Sequence, residues 1–247
     1  MDRLNLLSTI QQWHIPEYYI DIVICIDATA SMKQFIDDVK HFALSFPERL
    51  IDEMDRNKKD IIKQLRVKVI AFRDYNRDDE PPMVESPFFV FPNRNKEFNA
   101  FVNSIEVKGG SDNPKKAFEA LTFALKSDWV TGGDKSRQRH IILLFTNSST
   151  LSPGERISSS SYTISMQKSL TDFYSVWQGN AMNQEVLGSE GETTKLGPSG
   201  RRLVLFAPKA YPWTDMEVNL ECTLRNPIEF SDIDIEYAVD ASIYGWF

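Results

Sequence analysis

Short β-branched and apolar runs, each ending in a small cluster of oxygen-bearing residues, recur along this chain. Tyr19 to Ile26 is the first, interrupted only by Asp21, and it closes on Asp27-Ala28-Thr29-Ala30-Ser31. Leu65 to Phe72 is the second and runs into Arg73-Asp74-Tyr75. His140 to Phe145 is the most hydrophobic and ends at Thr146-Asn147-Ser148-Ser149, and Arg202 to Ala207 is closed by Pro208 and Pro212. Runs that are apolar at successive positions, without alternation, predict strands covered on both faces, as in a mostly parallel sheet. Phe88 to Phe91 reads as a short edge strand.

Between these runs the period changes to three and four. Met32, Phe35, Ile36, Val39, Phe42, Ala43 and Phe46 predict a helix with one buried stripe, and Pro47 predicts a kink or break there. A helix is expected around Glu97 to Ile105, and another after the break at Gly109-Gly110-Ser111-Asp112. The latter carries Ala117, Phe118, Ala120, Leu121, Ala124 and Leu125 on its apolar side. A long helix is expected over Ser158 to Trp177 and a last one within Asp232 to Ile243. Asn76 to Pro82 and Met182 to Gly200 read as loops. This alternation predicts an α/β fold: a doubly wound, mostly parallel sheet flanked by helices on both faces. With no internal repeat and no clear linker, residues 1 to 247 read as a single domain.

Composition narrows the function classes. A hydrophobic share of 42% with 12% aromatic residues fills a substantial core. A net charge of -7 disfavours nucleic acid and anionic membranes as partners. Two cysteines, Cys25 and Cys222, are too few for a disulfide framework, and Cys25 sits in an apolar run as a buried thiol would. No stretch reaches the roughly 18 apolar residues of a membrane span, and no targeting signal is visible, so a cytoplasmic protein is expected.

In parallel sheets ligands gather at the carboxyl ends of the strands, which is where the polar clusters fall. Asp27, Thr29 and Ser31 alternate along one loop, so one carboxylate and two hydroxyls can converge. That is a hard, oxygen-only donor set, suited to Mg²⁺ or Mn²⁺ and unsuited to zinc or copper. Open coordination positions would let a partner carboxylate complete the shell. The competing reading of the same residues is a helix N-cap. Asp74 is either a ligand-rim acid or a loop acid, Asp112 a ligand or a cap, and Asn147 a metal neighbour or a turn former.

Asp27-Ala28-Thr29-Ala30-Ser31 resembles the D-x-S/T-x-S metal-ion-dependent adhesion motif of von Willebrand factor A domains. Phe72-Arg73-Asp74-Tyr75 is similar to the segment after that family's next strand, and Gly109 to Pro114 to the G-G-G-D-x-P loop of a branch with bacterial and alpha-kinase-associated members. Thr146-Asn147 matches the place of the family's T-D, and Arg202 to Pro208 a late strand of the bacterial members. The resemblance covers residues 19 to 245. It implies a metal site of Asp27, Thr29, Ser31, Asp112 and Asn147, with Asp74 and Ser111 on the partner-binding rim. It further implies a protein-binding adaptor that takes a partner's acidic side chain. Such an adaptor would serve a bacterial stress-response or defence complex with a kinase, phosphatase or ATPase. The sequence departs from the pattern where Asn147 replaces an acid, where Ser111 and Asp112 stand for a threonine, and where Lys115 replaces Glu.

Two other functions are weighed. An A-domain scaffold could bind its partner without metal, which Asn147 motivates. An apolar strand ending in Asp-x-Thr is also similar to haloacid-dehalogenase-type phosphatases. Those need a second acid where this chain has Thr29, and no base beyond Asp74 or nucleophile pairing stands out, so no enzyme is expected.

Overall fold

The computed structural model describes residues 17–56, 61–73, 83–108, 117–130, 134–150, 169–179, 200–228 and 233–243. Its centre is β1 (Glu17–Asp27), buried without interruption from Ile20 to Asp27. β2 (Ile61–Phe72) and β5 (Gln138–Phe145) flank it, both parallel to it. β6 (Arg201–Phe206) and β7 (Thr223–Asn226) extend the sheet beyond β5, again in parallel. β3 (Met83–Glu85) and β4 (Phe89–Phe91) pair antiparallel with β2 and complete a seven-stranded, mostly parallel sheet. Because β1, β2 and β5 run the same way, their carboxyl ends, and the polar clusters that follow, share one rim.

Six α-helices accompany the strands among the described residues. A short 3-10 turn, Ala30–Gln34, leads into α1 (Ile36–Arg56). α2 (Asn95–Ser104), α3 (Ala117–Leu125), α4 (Leu170–Trp177), α5 (Trp213–Asn219) and α6 (Ile235–Ile243) follow. Alternation along β1 divides the core in two. Ile20, Ile22, Ile24 and Ile26 join the buried residues of α1, α2 and α6. Val23 and Cys25 join those of α3, α4 and α5. In the first cluster Phe145 and Phe206 stack at 4.6 Å, and Phe42 of α1 meets them edge-on at 5.0 and 5.4 Å. In the second, the Cys25 thiol donates to Ala120 O at 3.7 Å, and burial holds its pKa far above the ordinary range. No described helix is long and apolar enough to cross a membrane.

Two sequence expectations are corrected, and three short elements are added. α1 runs unbroken through Pro47, which is buried beside Phe46 and Leu50, so tertiary burial outweighs the lost backbone bond. The single helix expected over Ser158–Trp177 does not form: α4 begins at Leu170, because Ser169 is extended (φ -149°) and caps it. The part before Ser169 lies outside the described residues, as does the loop expected up to residue 199. β3, α5 and β7 were not foreseen, being short and without a strong period. Ser169 Oγ accepts from Asp172 N at 3.0 Å. Ser169→Ala is expected to cost about 1 kcal/mol of stability, read from urea unfolding, and an unchanged midpoint would deny the cap its role.

Candidate functional site

At the carboxyl end of β1 the chain turns sharply, and Ala28 bridges two neighbours. Its N–H donates to Phe72 O at 2.9 Å, and its C=O accepts from Lys108 N at 3.0 Å. Asp27 and Thr29 are fully buried and Ser31 is half-buried at the rim. These backbone ties fix the loop, so its side chains are positioned by the sheet and not by the following helix.

The structure brings Asp27, Thr29, Ser31 and Asn147 together. Thr29 donates to Asp27 Oδ1 twice, through its backbone N–H at 3.0 Å and its hydroxyl at 2.6 Å. Ser31 Oγ donates to Asn147 Oδ1 at 2.9 Å, and Asn147 Nδ2 donates back to Ser31 O at 2.8 Å. Asp112, Asp74 and Ser111 lie outside the described residues. Arg73, which precedes Asp74, donates to Glu106 O at 2.8 Å.

Helix capping does not account for this loop. Thr29 occupies the N-cap position of the 3-10 turn with extended backbone (ψ 161°) but makes no side-chain capping bond. Its hydroxyl turns back to Asp27, and that of Ser31 crosses to the next strand end.

Sequence reasoning singled out Asn147 and passed over its neighbour. Thr146, fully buried, donates its hydroxyl to Asp27 Oδ2 at 2.8 Å and accepts from Ser148 N at 3.3 Å. Both oxygens of Asp27 are therefore held by donors, Oδ1 by Thr29 and Oδ2 by Thr146. The available signal was a polar residue placed immediately after the apolar run Ile141 to Phe145. From the first turn of α5, the buried indole of Trp213 donates to Ser148 O at 2.8 Å and ties that helix to this loop.

The two hydroxyl oxygens, Thr29 Oγ1 and Ser31 Oγ, stand 3.3 Å apart in hydrogen-bond contact, so a carboxylate and two hydroxyls converge at this strand end. Among the described residues no group of three His, Cys, Asp and Glu side chains is placed to hold a metal.

No protein-family model matches the sequence, and no curated relative does. Solved structures similar in shape include the pilus adhesin SpaC from Lactobacillus rhamnosus GG in its open conformation. That match has a TM-score of 0.48 and 13% identity, over 91% of this chain and 29% of the adhesin. Proximal thread matrix protein 1 from the mussel byssus matches with a TM-score of 0.45 and 12% identity, over 92% of this chain and 48% of that one. The chain thus spans less than half the length of either.

Proposed function

We propose that this chain is a von Willebrand factor A-type binding domain that grips a protein partner through Mg²⁺ or Mn²⁺ at the Asp27–Ser31 loop. The observation that carries this reading is the convergence of the buried Asp27 carboxylate with the Thr29 and Ser31 hydroxyls, whose oxygens lie 3.3 Å apart. Thr29 and Ser31 would supply direct oxygen ligands, and Asp27 the negative charge. A divalent cation bound there supplies an electrophile for an acidic side chain of the partner. The doubly wound, A-domain arrangement is part of the same reading, supported by the parallel order of β2, β1, β5, β6 and β7 and by the two core clusters.

Asn147 also has a structural part at this loop. Its oxygen and its amide nitrogen both bond Ser31. It therefore acts on the site by fixing Ser31, where an acid would add charge. That observation also favours a second reading, an A-domain scaffold that binds its partner without metal, because the loop closes on itself through Asn147.

Calorimetric titration of Mg²⁺ and Mn²⁺ separates the two. Heat of binding is expected in the wild type and its loss in the Thr29→Val, Ser31→Ala double variant. Negligible heat from both proteins would remove the metal and leave the scaffold reading.

A further inference from the structure

We propose that His140 is an acid sensor: its protonation breaks a buried polar row that clamps the α3–β5 connection to the sheet. The row lies at the end of the strands opposite the metal loop. Strand register sets Arg66 of β2 beside Asp21 of β1, Asp21 beside His140 of β5, and His140 beside Arg201 of β6. Registered neighbours in parallel strands project to one face, so four polar side chains cross the sheet in one row. Asp21 and His140 are 0% exposed and Arg201 is 3% exposed.

The row holds Val130 by both of its backbone polar groups. Asp21 Oδ2 accepts from Val130 N at 2.6 Å, and His140 Nε2 lies 3.0 Å from Val130 O. A carbonyl can only accept, so Nε2 carries the imidazole hydrogen and Nδ1 presents a bare lone pair. That Nδ1 is buried and has no hydrogen-bond partner. Arg66 closes the other side, bonding both oxygens of Asp21 at 2.7 and 2.6 Å and reaching Asp128 O at 2.9 Å. The Trp129 ring, 5.2 Å from the imidazole, seals the row from above.

A second proton would enter at Nδ1. It would create a buried N–H with no acceptor and a cation flanked in register by Asp21 and Arg201, with Arg66 beyond Asp21. The charged groups facing His140 are Asp21 from β1, Arg66 from β2 and Arg201 from β6, whose own counter-ion Glu221 stands 3.7 Å off. Asp21 attracts the imidazolium but is already engaged by Arg66. Burial is the larger effect and holds the His140 pKa below its ordinary value.

The sign follows from this direction. The folded state binds the proton less tightly than the unfolded chain, where histidine titrates near about 6.5. The full grip on Val130 is therefore present above that pH and is lost as pH falls below it. Release of the imidazole from the row relieves the penalty and frees Val130 O.

The test follows Val130 amide exchange, corrected for intrinsic rates, in the full chain as pH is lowered. Once pH falls below the unfolded-state value, the opening equilibrium in wild type is expected to rise up to about tenfold per pH unit, the response to one linked proton. His140→Gln keeps a donor for Val130 O without titrating and should flatten this dependence. The chain has three histidines, and His41→Gln, on the exposed face of α1, should keep the wild-type slope. Parallel slopes in wild type and His140→Gln would overturn the proposal. If His140→Gln does not fold, NMR titration of the wild-type imidazole decides. His140 taking up its proton at an ordinary histidine pKa, with the Val130 amide still protected, would also overturn it.

Discussion

Arg66→Met is expected to destabilise the protein by about 3–5 kcal/mol, the largest loss of any single substitution considered. Arg66 forms a two-pronged bond to Asp21, whose side chain is 0% exposed, and its guanidinium lies 4.5 Å from the centre of the Phe88 ring. Methionine preserves much of the apolar stem but leaves a buried carboxylate held by the Val130 N–H alone among these contacts. An uncompensated buried charge costs more than the intact pair contributes, because the desolvation of Asp21 remains while the attraction is gone. The double variant Arg66→Met, Asp21→Leu removes both ions together. It should recover part of the loss, with the now unbonded Val130 N–H still costing about 1–3 kcal/mol. Urea unfolding of the two variants is the measurement. A double variant no more stable than Arg66→Met would show that the charge on Asp21 is not what the arginine compensates.

Asp27→Asn is expected to weaken Mn²⁺ binding by about a hundredfold while the protein still folds. Asp27 is the one carboxylate among the described residues of the loop, so the exchange removes its negative charge while keeping its shape. The attraction of a divalent ion for a nearby full charge exceeds that for an amide dipole, and even outer-shell substitutions shift metal affinity by about 10–100-fold. The carbonyl oxygen of the substituted amide can still accept from Thr29, and its nitrogen can donate to Thr146 Oγ1 if that hydroxyl turns to accept. Stability should therefore change little. Calorimetry together with thermal unfolding separates the outcomes: an unaltered affinity would show that the cation, if bound, does not depend on Asp27. Loss of folding would instead make the carboxylate a structural group.

Much of the frame was legible in the sequence because it rests on local chemistry. Short β-branched and apolar runs favour buried strands, and β1, β2, β5 and β6 lie where those runs lie. The apolar side of α3 is buried at every position the spacing marks, Ala117, Phe118, Ala120, Leu121, Ala124 and Leu125. Polar residues closing each run marked the rim on which Asp27, Thr29, Ser31 and Asn147 meet. That these ends share one rim came from the parallel pairing and register of β1, β2 and β5.

The tertiary structure decided what depends on contacts far apart in the chain. Asp21 reads in sequence as a flaw in a hydrophobic strand. It is the acceptor for Arg66, 45 positions away, and for Val130, 109 positions away. No local pattern encodes such pairs. Thr146 and Asn147 look alike as strand-end polar residues, yet one holds the Asp27 carboxylate and the other clasps Ser31, a difference set by strand register. Pro47 stays helical because burial among α1 and its neighbours outweighs a local penalty. The sequence by itself determined which residues are polar at the rim and apolar in the sheet, since burial follows from composition and period. Only the folded chain decided which partner each rim side chain meets, Asp27 for Thr29 and Thr146, and Asn147 for Ser31, because that depends on which groups packing brings within about 3 Å.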